Sequence, residues 1–261
     1  MNAFKQKILS KQKTSGIFLN STDTAFSIIT ARAGYDFVWL DLEHSYISFE
    51  QAAHHVYALK KEGIAVIVRV PENELTWTKK VLEMGVDGII FPMVRTAAQA
   101  DAQIKSTLYP PYGMRGFGPH YATSFGHDDA WEYVKNSKDD LCRFIQIEHV
   151  SLIEELDEVM KNEFIDGYIF GPNDLSGSIN DIGNVFSDKM TEIISTTTDR
   201  LHKNGKYVGL ATGDTTDTTI KHWCDLGIDM MTVGSDFDMF RNAAIANKKN
   251  LDRLHKGVKN D

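Results

Sequence analysis

Several residue types that would indicate other classes of protein are scarce in this chain. Only two cysteines, Cys142 and Cys224, occur among 261 residues and no Cys-x-x-Cys pair is present, which argues against a disulfide framework or a cysteine-based zinc cluster. No run approaches the roughly 18 apolar residues of a membrane-spanning helix, so we expect no membrane partner. The polar, lysine-rich N-terminus lacks the apolar segment of a signal peptide, and we expect a cytoplasmic protein.

Clustered positive charge is also lacking. Lys and Arg together number 28 against 36 Asp and Glu, the formal charge is −8, and the sequence has no long basic run. A nucleic-acid surface needs a clustered basic footprint, so we expect no nucleic-acid partner and small-molecule ligands instead. The contents of 42% hydrophobic and 25% charged residues are those of a globular protein with a sizeable core.

Eight short apolar runs, rich in Val, Ile and Phe, recur along the chain between segments with helical periodicity. Strands that are covered on both faces read as continuous apolar runs, and eight strand–helix units in about 250 residues favour a closed barrel. The predicted strands are Gly16–Asn20, Phe37–Glu43, Ala65–Val70, Gly88–Val94, Arg143–Glu148, Gly167–Gly171, Tyr207–Ala211 and Met230–Gly234. We therefore predict an α/β fold, a (β/α)8 TIM barrel forming a single domain over residues 1–261, with a C-terminal helical extension after Ser235.

Helix-start patterns follow several of these strands. The segments 48–51, 96–99 and 151–154 each match a capping box, and Gly63 is a plausible residue to end the first of these helices. The same pattern predicts that His54 and His55 lie on the helix surface. Two long connections, Thr96–Leu141 and Ser176–Lys206, are interpreted as functional loops.

Polar residues cluster where the predicted strands end. In a barrel of this type the working site lies at the carboxyl ends of the strands. The residues placed there are Asp41, Glu43, His44, Arg69, Gln146, Glu148 and Gly171–Asp174. They are the candidates for chemistry.

Glu148 and Asp174 follow consecutive strands. Neighbouring strands lie about 4.8 Å apart, so both carboxylates can reach one ion. Two carboxylates suit Mg²⁺ or Mn²⁺, with water or substrate oxygens in the remaining positions. The alternative is structural: an ion pair for Glu148 and a helix cap for Asp174.

Arg69 and His44 have two interpretations each. A cation in an apolar strand must meet an anion, which for Arg69 is either a structural carboxylate such as Asp41 or Glu43, or a substrate carboxylate or enolate. His44 follows two acids that would tune its basicity for proton transfer, although a histidine at a strand end can be structural. No lysine occupies the strand ends and no nucleotide-binding fingerprint is complete, which argues against Schiff-base chemistry and a nucleotide cofactor.

These motifs, in this order, resemble the HpcH/HpaI aldolase family, the class II pyruvate aldolases of the phosphoenolpyruvate/pyruvate barrel superfamily. The resemblance runs from about residue 34 to residue 234. It is carried by Gly34–His44, Val68-Arg69, Phe91–Val94, Tyr109–Gly118, Gln146–Glu148 and Gly171–Leu175. It implies an aldolase that cleaves or forms 4-hydroxy-2-oxo acids, of the 2-keto-3-deoxy sugar-acid type, to pyruvate and an aldehyde.

The resemblance also implies a role for each candidate. Glu148 and Asp174 would hold a divalent metal ion, commonly Mg²⁺, Mn²⁺ or Co²⁺, and Arg69 would stabilise the enolate oxygen. His44 would be the acid/base. Asp41 and Gln146 would support these groups, and the backbone around Gly171, Pro172 and Asn173 would bind the carboxylate of the 2-oxo acid. The family implies a homo-oligomer, a hexamer or trimer of dimers.

Two segments depart from the family pattern. Glu83 stands where relatives often carry an aspartate that pairs with the catalytic histidine of a neighbouring subunit. Pro119–Thr123 stands where many relatives carry arginines, so a cation that would bind a dicarboxylate or sugar-acid aldehyde is missing. Two alternatives remain open: a citrate-synthase- or citrate-lyase-like condensing enzyme, and a barrel retained without catalysis.

Overall fold

Eight parallel strands pair in sequence order and close into a barrel, with β1 hydrogen-bonded to β8. This computed structural model describes residues 2–257, with side chains through residue 255. The strands are β1 (Thr14–Leu19), β2 (Phe37–Asp41), β3 (Ala65–Arg69), β4 (Gly88–Phe91), β5 (Cys142–Ile147), β6 (Gly167–Phe170), β7 (Tyr207–Thr212) and β8 (Met230–Ser235). The predicted TIM barrel is confirmed.

Helices alternate with the strands and cover the barrel. They are α1 (Ala3–Leu9), α2 (Ala25–Arg32), α3 (Phe49–Lys61), α4 (Leu75–Glu83), α5 (Ala97–Thr107), α6 (Ala130–Asp140), α7 (Val150–Glu154), α8 (Leu156–Val159), α9 (Pro172–Ser178), α10 (Asp188–Lys203), α11 (Asp217–Asp225) and α12 (Asp236–Gly257). The interpretation of residues 96–141 and 176–206 as long loops was wrong, because α5, α6 and α10 occupy about half of their residues. In α10 the buried residues Met190, Ile194 and Leu201 follow the helical period.

The three predicted capping boxes have different outcomes. Ser48 and Gln51 form the complete box at the start of α3. At α5, Thr96 accepts from the backbone N–H of Gln99, but the Gln99 side chain accepts from Arg95 instead. The third prediction was wrong, since His149 is the N-cap of α7 and Ser151 lies inside that helix.

Helix α3 confirms two further predictions and overturns one. Gly63 follows its C-cap with φ +78°, the left-handed conformation that glycine adopts without strain. His54 is exposed as predicted. His55 is not on the surface: it is fully buried, and its Nδ1 lies 2.7 Å from the Ser27 hydroxyl of α2. A hydrogen-bond partner on the neighbouring helix allows His55 to be buried, although the helix pattern predicted that it lies on the surface.

Two apolar cores result from the alternation of side chains along the strands. One core lies between the barrel and the helices, and includes Val56 and Leu59 of α3. The other fills the barrel itself with alternate strand residues such as Trp39, Ile67 and Phe144. Residues of the same parity further along β2, β3 and β5 therefore point into the barrel at its carboxyl end.

The ends of the chain extend the barrel. Helix α1, which we had not predicted, places Phe4 and Ile8 in the inner core and closes the amino end of the barrel. Helix α12 is the expected C-terminal extension, and its described residues from 239 onward are exposed. No helix within residues 2–257 combines the length and apolar character needed to cross a bilayer.

Candidate active site

The site is built around Arg69, the last residue of β3. Its backbone is paired in register with Asp41, the last residue of β2. Asp41 accepts from Nε at 2.8 Å and from Nη2 at 2.6 Å, a bidentate arrangement on a side chain that is nearly buried. Burial alone would lower the pKa of Arg69, but Asp41 and the neighbouring acids outweigh it and raise that pKa. Of the two anions considered for Arg69, the structural carboxylate is present in this chain.

A second carboxylate, Glu43, approaches the same guanidinium. Its Oε2 lies 2.9 Å from Nη1 of Arg69. Burial raises the pKa of Glu43 to about 7, because Asp41 and Asp174 add to the unfavourable energy of the charged form and Arg69 offsets it only in part. The sequence indicated Glu43 as a strand-end acid beside His44 and as a partner for Arg69. Its position two residues after Asp41, with the same parity, was the available signal for a residue of the site.

Glu148 lies just beyond β5 and is held at both oxygens. Its Oε1 accepts from Nε2 of Gln146 at 2.7 Å, and its Oε2 accepts from the backbone N–H of Met93 at 2.8 Å. Burial raises the pKa of Glu148 to about 7; Glu43 and Asp174 raise it further, whereas the Met93 N–H and Arg69 lower it. The carboxylate is thus fixed in orientation and is unfavourable to ionise without another positive charge nearby.

The backbone at Met93 and at Gly171 accommodates the Glu148 carboxylate. The sequence predicted this role for neither residue. Met93 has φ +51°, a left-handed conformation that is uncommon outside glycine and that directs its N–H at Glu148. At Gly171 an added Cβ would lie 2.5 Å from Oε1 and 2.7 Å from Cγ of Glu148. Gly171 is therefore needed because Glu148 occupies the space beside it.

Asp174 lies in the first turn of α9, directly after β6, and is exposed. Strands β5 and β6 are hydrogen-bonded neighbours, as predicted for Glu148 and Asp174. Pro172 begins the helix and has no N–H, and the N–H of Gly171 donates to Ile147. Within residues 2–257, the backbone N–H groups of this turn that have no acceptor are thus those of Asn173 and Asp174.

The donor set fits a hard divalent cation. Asp41 and Glu43 contact the guanidinium of Arg69, the charge of Glu148 also acts on it, and Asp174 lies close enough to Glu43 and Glu148 to raise the pKa of both. Within residues 2–257 no three His, Cys, Asp or Glu side chains are grouped to hold a metal ion. Two carboxylates with waters and substrate oxygens are the usual environment of Mg²⁺, and the predicted ligands Glu148 and Asp174 are two carboxylates that follow neighbouring strands.

His44 is near the acids but faces solvent. Its side chain is 67% exposed, and its Nε2 lies 3.8 Å from Oε2 of Glu43. Among the described residues no hydrogen bond joins Asp41 to the ring, and the Asp41 oxygens accept from Arg69 and from the backbone N–H of Glu43. An exposed imidazole beside the charged cluster can exchange protons with a ligand or with a group brought by another chain.

Glu83 lies at the opposite end of the barrel. It is the last residue of α4, which runs back from the carboxyl end of β3 to the amino end of β4, about 13 Å for nine residues. There Glu83 accepts from Nη2 of the buried Arg115 at 3.2 Å, and its second oxygen is buried without a hydrogen-bond partner among the described residues. Burial raises the pKa of Glu83 despite Arg115. Within one chain, Glu83 and His44 do not meet.

The segment Pro119–Thr123 lies beside Glu83. The Cα of Ala122 is 3.3 Å from the position of a Cβ at Gly85. Exposed aromatic residues continue this surface: Phe117 stacks on Trp131 with ring centroids 4.9 Å apart, and Tyr121 contacts Phe125 at 5.2 Å. The surface is aromatic where many members of the resembled family carry arginines.

Comparison with known proteins agrees with this geometry. Residues 14–243 match the model of the HpcH/HpaI aldolase/citrate lyase family. The 2-keto-3-deoxy-L-rhamnonate aldolase of Escherichia coli (strain K12) is 31% identical over 243 residues, 93% of this chain and 90% of that protein.

Two solved structures extend the comparison. The HpcH/HpaI aldolase from Desulfitobacterium hafniense DCB-2 superposes with a TM-score of 0.88 at 26% identity, covering 96% of both chains. The citrate synthase SbnG superposes with a TM-score of 0.84 at 25% identity, covering 97% of this chain and 98% of that one. The matched family, the aldolase relative and the site at the carboxyl end of the strands agree, and this chain belongs to the HpcH/HpaI aldolase/citrate lyase family as a carbon–carbon lyase.

Proposed function

We propose that this lyase is a metal-dependent aldolase that cleaves a 4-hydroxy-2-oxo acid of the 2-keto-3-deoxy sugar-acid type to pyruvate and an aldehyde. The observation that carries the proposal is the excess of carboxylates around Arg69 at the carboxyl end of the barrel. Glu148 and Asp174 would hold one divalent cation, Mg²⁺, Mn²⁺ or Co²⁺. The similarity to a 2-keto-3-deoxy-L-rhamnonate aldolase supports the substrate class.

The bound cation would polarise the 2-oxo group of the substrate and offset negative charge on its oxygen. Arg69, fixed by Asp41, would donate to the same developing charge. Gln146 would keep the Glu148 carboxylate in orientation. The free N–H groups of Asn173 and Asp174 would bind the substrate carboxylate, with Gly171 and Pro172 shaping that turn.

His44 would move the protons of the reaction. In the cleavage direction it would take the proton of the 4-hydroxyl group as the bond between C3 and C4 breaks, and a proton would later be returned to the methyl carbon of pyruvate. Its exposure allows this exchange with a ligand outside the barrel core. Arg69 would stabilise the enolate formed between the two steps.

The proposal is tested by pyruvate release, coupled to lactate dehydrogenase, from a panel of 2-keto-3-deoxy sugar acids and other 4-hydroxy-2-oxo acids. We expect release to disappear with EDTA and to return with Mn²⁺ or Mg²⁺. Release that survives thorough metal removal would contradict the mechanism. No release from any member of the panel would favour condensation, for which the similarity to a citrate synthase is the supporting observation.

We also propose a homo-oligomer, a hexamer or trimer of dimers, in which Glu83 of one chain faces His44 of another. The opposite placement of the two residues in one chain requires a second chain for this pair. Exposed Phe237, Phe240 and Ile245 on α12 supply an apolar surface for assembly.

Complementation tests this pairing. His44→Asn and Glu83→Gln should each be nearly inactive, whereas mixed oligomers of the two should regain activity, because His44 from one chain then meets Glu83 from the other. A mixture no more active than the sum of its separate parts, once subunit exchange has been verified, would contradict the pairing. A monomer in solution would do so as well.

A further inference from the structure

Arg69 is held by two carboxylates that bind it unequally. Asp41 accepts two well-formed hydrogen bonds, from Nε and Nη2. Glu43 brings Oε2 to 2.9 Å from Nη1, but Oε2 is buried without a hydrogen-bond partner among residues 2–255, so this contact is electrostatic and poorly aligned. The other contact of Nη1, to Oε1 of Gln146, is long at 3.4 Å. Nη1 is therefore the guanidinium nitrogen with the weakest hydrogen bonding.

The backbone explains this difference. Asp41 ends β2 inside the hydrogen-bonded ladder, in register with Arg69. Glu43 lies two residues further on, outside the ladder, next to the exposed His44. Its side chain can therefore leave Arg69 without breaking the sheet. The negative charges of Asp41 and Asp174 already oppose its position.

We propose that Glu43 is an internal stand-in for the substrate anion: it occupies Nη1 of Arg69 while no substrate is bound, and it leaves when an anionic substrate oxygen takes that place. The inference rests on the proposed function, which brings a 2-oxo acid to Arg69. Glu43 is then a positioning residue that keeps the guanidinium aligned in the free enzyme. Because part of the binding free energy is spent on displacing Glu43 from Arg69, Glu43 weakens substrate binding. Removing it should therefore change KM and leave kcat nearly unchanged.

The probe is oxalate, a planar dianion shaped like the enolate of pyruvate, titrated calorimetrically into the Mn²⁺-loaded protein. We expect the oxalate Kd to fall about tenfold in both Glu43→Gln and Glu43→Asp, a change of about 1.4 kcal/mol. The aspartate keeps the charge but is one methylene shorter and does not reach Nη1. In the pyruvate-release assay, the KM of the 4-hydroxy-2-oxo acid should fall in parallel, with kcat unchanged.

Glu72→Gln is the matched control. Glu72 is exposed in the segment between β3 and α4, at the same end of the barrel, and accepts from Nε1 of Trp77 rather than from Arg69. Removing its charge should leave the oxalate Kd unchanged. Tighter binding in Glu43→Gln but not in Glu43→Asp would mean a through-space charge effect and would overturn the inference. Weaker binding in Glu43→Gln would overturn it too.

A crystal structure of the wild-type protein with Mn²⁺ and oxalate is independent of how the variants fold. We expect Oε2 of Glu43 to lie more than about 4 Å from Nη1 of Arg69, beyond ion-pair distance. An unchanged contact with oxalate bound would overturn the exchange. If wild-type protein does not bind oxalate at all, the anion site of the proposed function fails, which distinguishes that failure from a failure of the exchange.

Discussion

At the amino end of the barrel, one aspartate stands directly before each even-numbered strand and is paired with a single base. Each also accepts from a backbone N–H of the preceding strand. The four pairs are Lys7–Asp36 at 2.6 Å, Lys60–Asp87 at 2.9 Å, Lys5–Asp166 at 2.6 Å and His202–Asp229 at 2.8 Å. In the same order, the backbone N–H donors to these aspartates are those of Ser15, Val66, Arg143 and Val208. At the carboxyl end, Asp41 and Glu43 both contact the guanidinium of Arg69, and Glu148 and Asp174 add two further carboxylates to the same cluster.

This difference separates stability from chemistry. The amino end has three Lys–Asp ion pairs and one His–Asp hydrogen bond, and the cavity of about 240 Å³ there is lined by the pairs of Asp36 and Asp87. The carboxyl end keeps carboxylates that are unfavourable to ionise together. In barrels of this type the amino end supports the fold and the carboxyl end the reaction. Removing a charge at the carboxyl end should therefore lower activity without lowering stability. Removing a paired charge at the amino end should lower stability without lowering the activity of the folded enzyme.

The largest effect is expected from Glu148→Gln, which removes the charge of the metal ligand but keeps its shape. Pyruvate-releasing kcat/KM should fall by at least about 10³-fold, because charge stabilisation at the reacting oxygen is lost. The metal-free protein should be no less stable than wild type at pH 8, since an unfavourable buried charge has gone. Steady-state kinetics and urea unfolding measure both. Loss of stability together with activity would place Glu148 among the structural groups instead.

Lys5→Met should have the converse effect at the amino end. Lys5 and Asp166 form a nearly buried pair, with 8% and 9% of their side chains exposed. Leaving Asp166 unpaired should cost about 3 kcal/mol of unfolding free energy. The kcat of the folded enzyme should not change.

Lys60→Met is the control for that effect. Lys60 makes the same kind of pair with Asp87, but 44% of its side chain is exposed. It should cost no more than about 1 kcal/mol. Equal losses in the two variants would show that burial does not set the contribution of these pairs.

Gly171→Ala sharpens the comparison inside the active end. The new Cβ would lie 2.5 Å from Oε1 of Glu148, so the carboxylate must shift and metal affinity should fall about 10- to 100-fold. Gly213→Ala, after β7 at the same end, has no atom within 4 Å of the added Cβ and should leave metal affinity unchanged. Mn²⁺ titration of both variants measures this. Wild-type affinity in Gly171→Ala would mean that Glu148 is not the ligand.

The smallest effect concerns pH. The pKa values of Glu43 and Glu148 are raised to about 7 in the folded protein, against about 4.5 when unfolded. Between these values the folded state binds more protons, so the free energy of unfolding increases as pH falls. From pH 8 to pH 6, each of the two groups should add about 1 kcal/mol to the free energy of unfolding of the metal-free protein. This corresponds to about 2–4 °C in Tm for each group.

The Glu148→Gln variant separates this contribution from other titrations. The variant should lack the increase in unfolding free energy that Glu148 contributes as pH falls. Its Tm should therefore rise less than that of wild type over the same pH range. Parallel Tm changes in the two proteins would contradict the raised pKa of Glu148.

The barrel was predictable because its strands are covered on both faces. Runs such as Ala65–Val68 are continuously apolar, and the structure places β3 at Ala65–Arg69. The parity of side chains then directs Arg69 and Gln146 inward without further information. The amphipathic helix α10 was missed because its segment was interpreted as a loop between strands, although its buried residues recur with helical spacing.

Some features of the site depend on contacts that spacing does not encode. The Met93 N–H meets Glu148 only because a left-handed residue turns the chain there. The unequal hold of Asp41 and Glu43 on Arg69 follows from where β2 ends, which the sequence placed two residues too late. The paired aspartates at the amino end were visible as an Asp before every second strand, a regularity that becomes meaningful once strand order is known.

The most direct test of the account is the number of divalent ions bound per chain at pH 7.5, measured by calorimetric titration of Mn²⁺ into the metal-stripped protein. We expect one ion per chain in wild type, and a loss of this binding in Glu148→Gln and in Asp174→Asn. Wild-type binding that persists in both variants, or no binding in wild type, would contradict the assignment of the carboxyl-end carboxylates as a metal site.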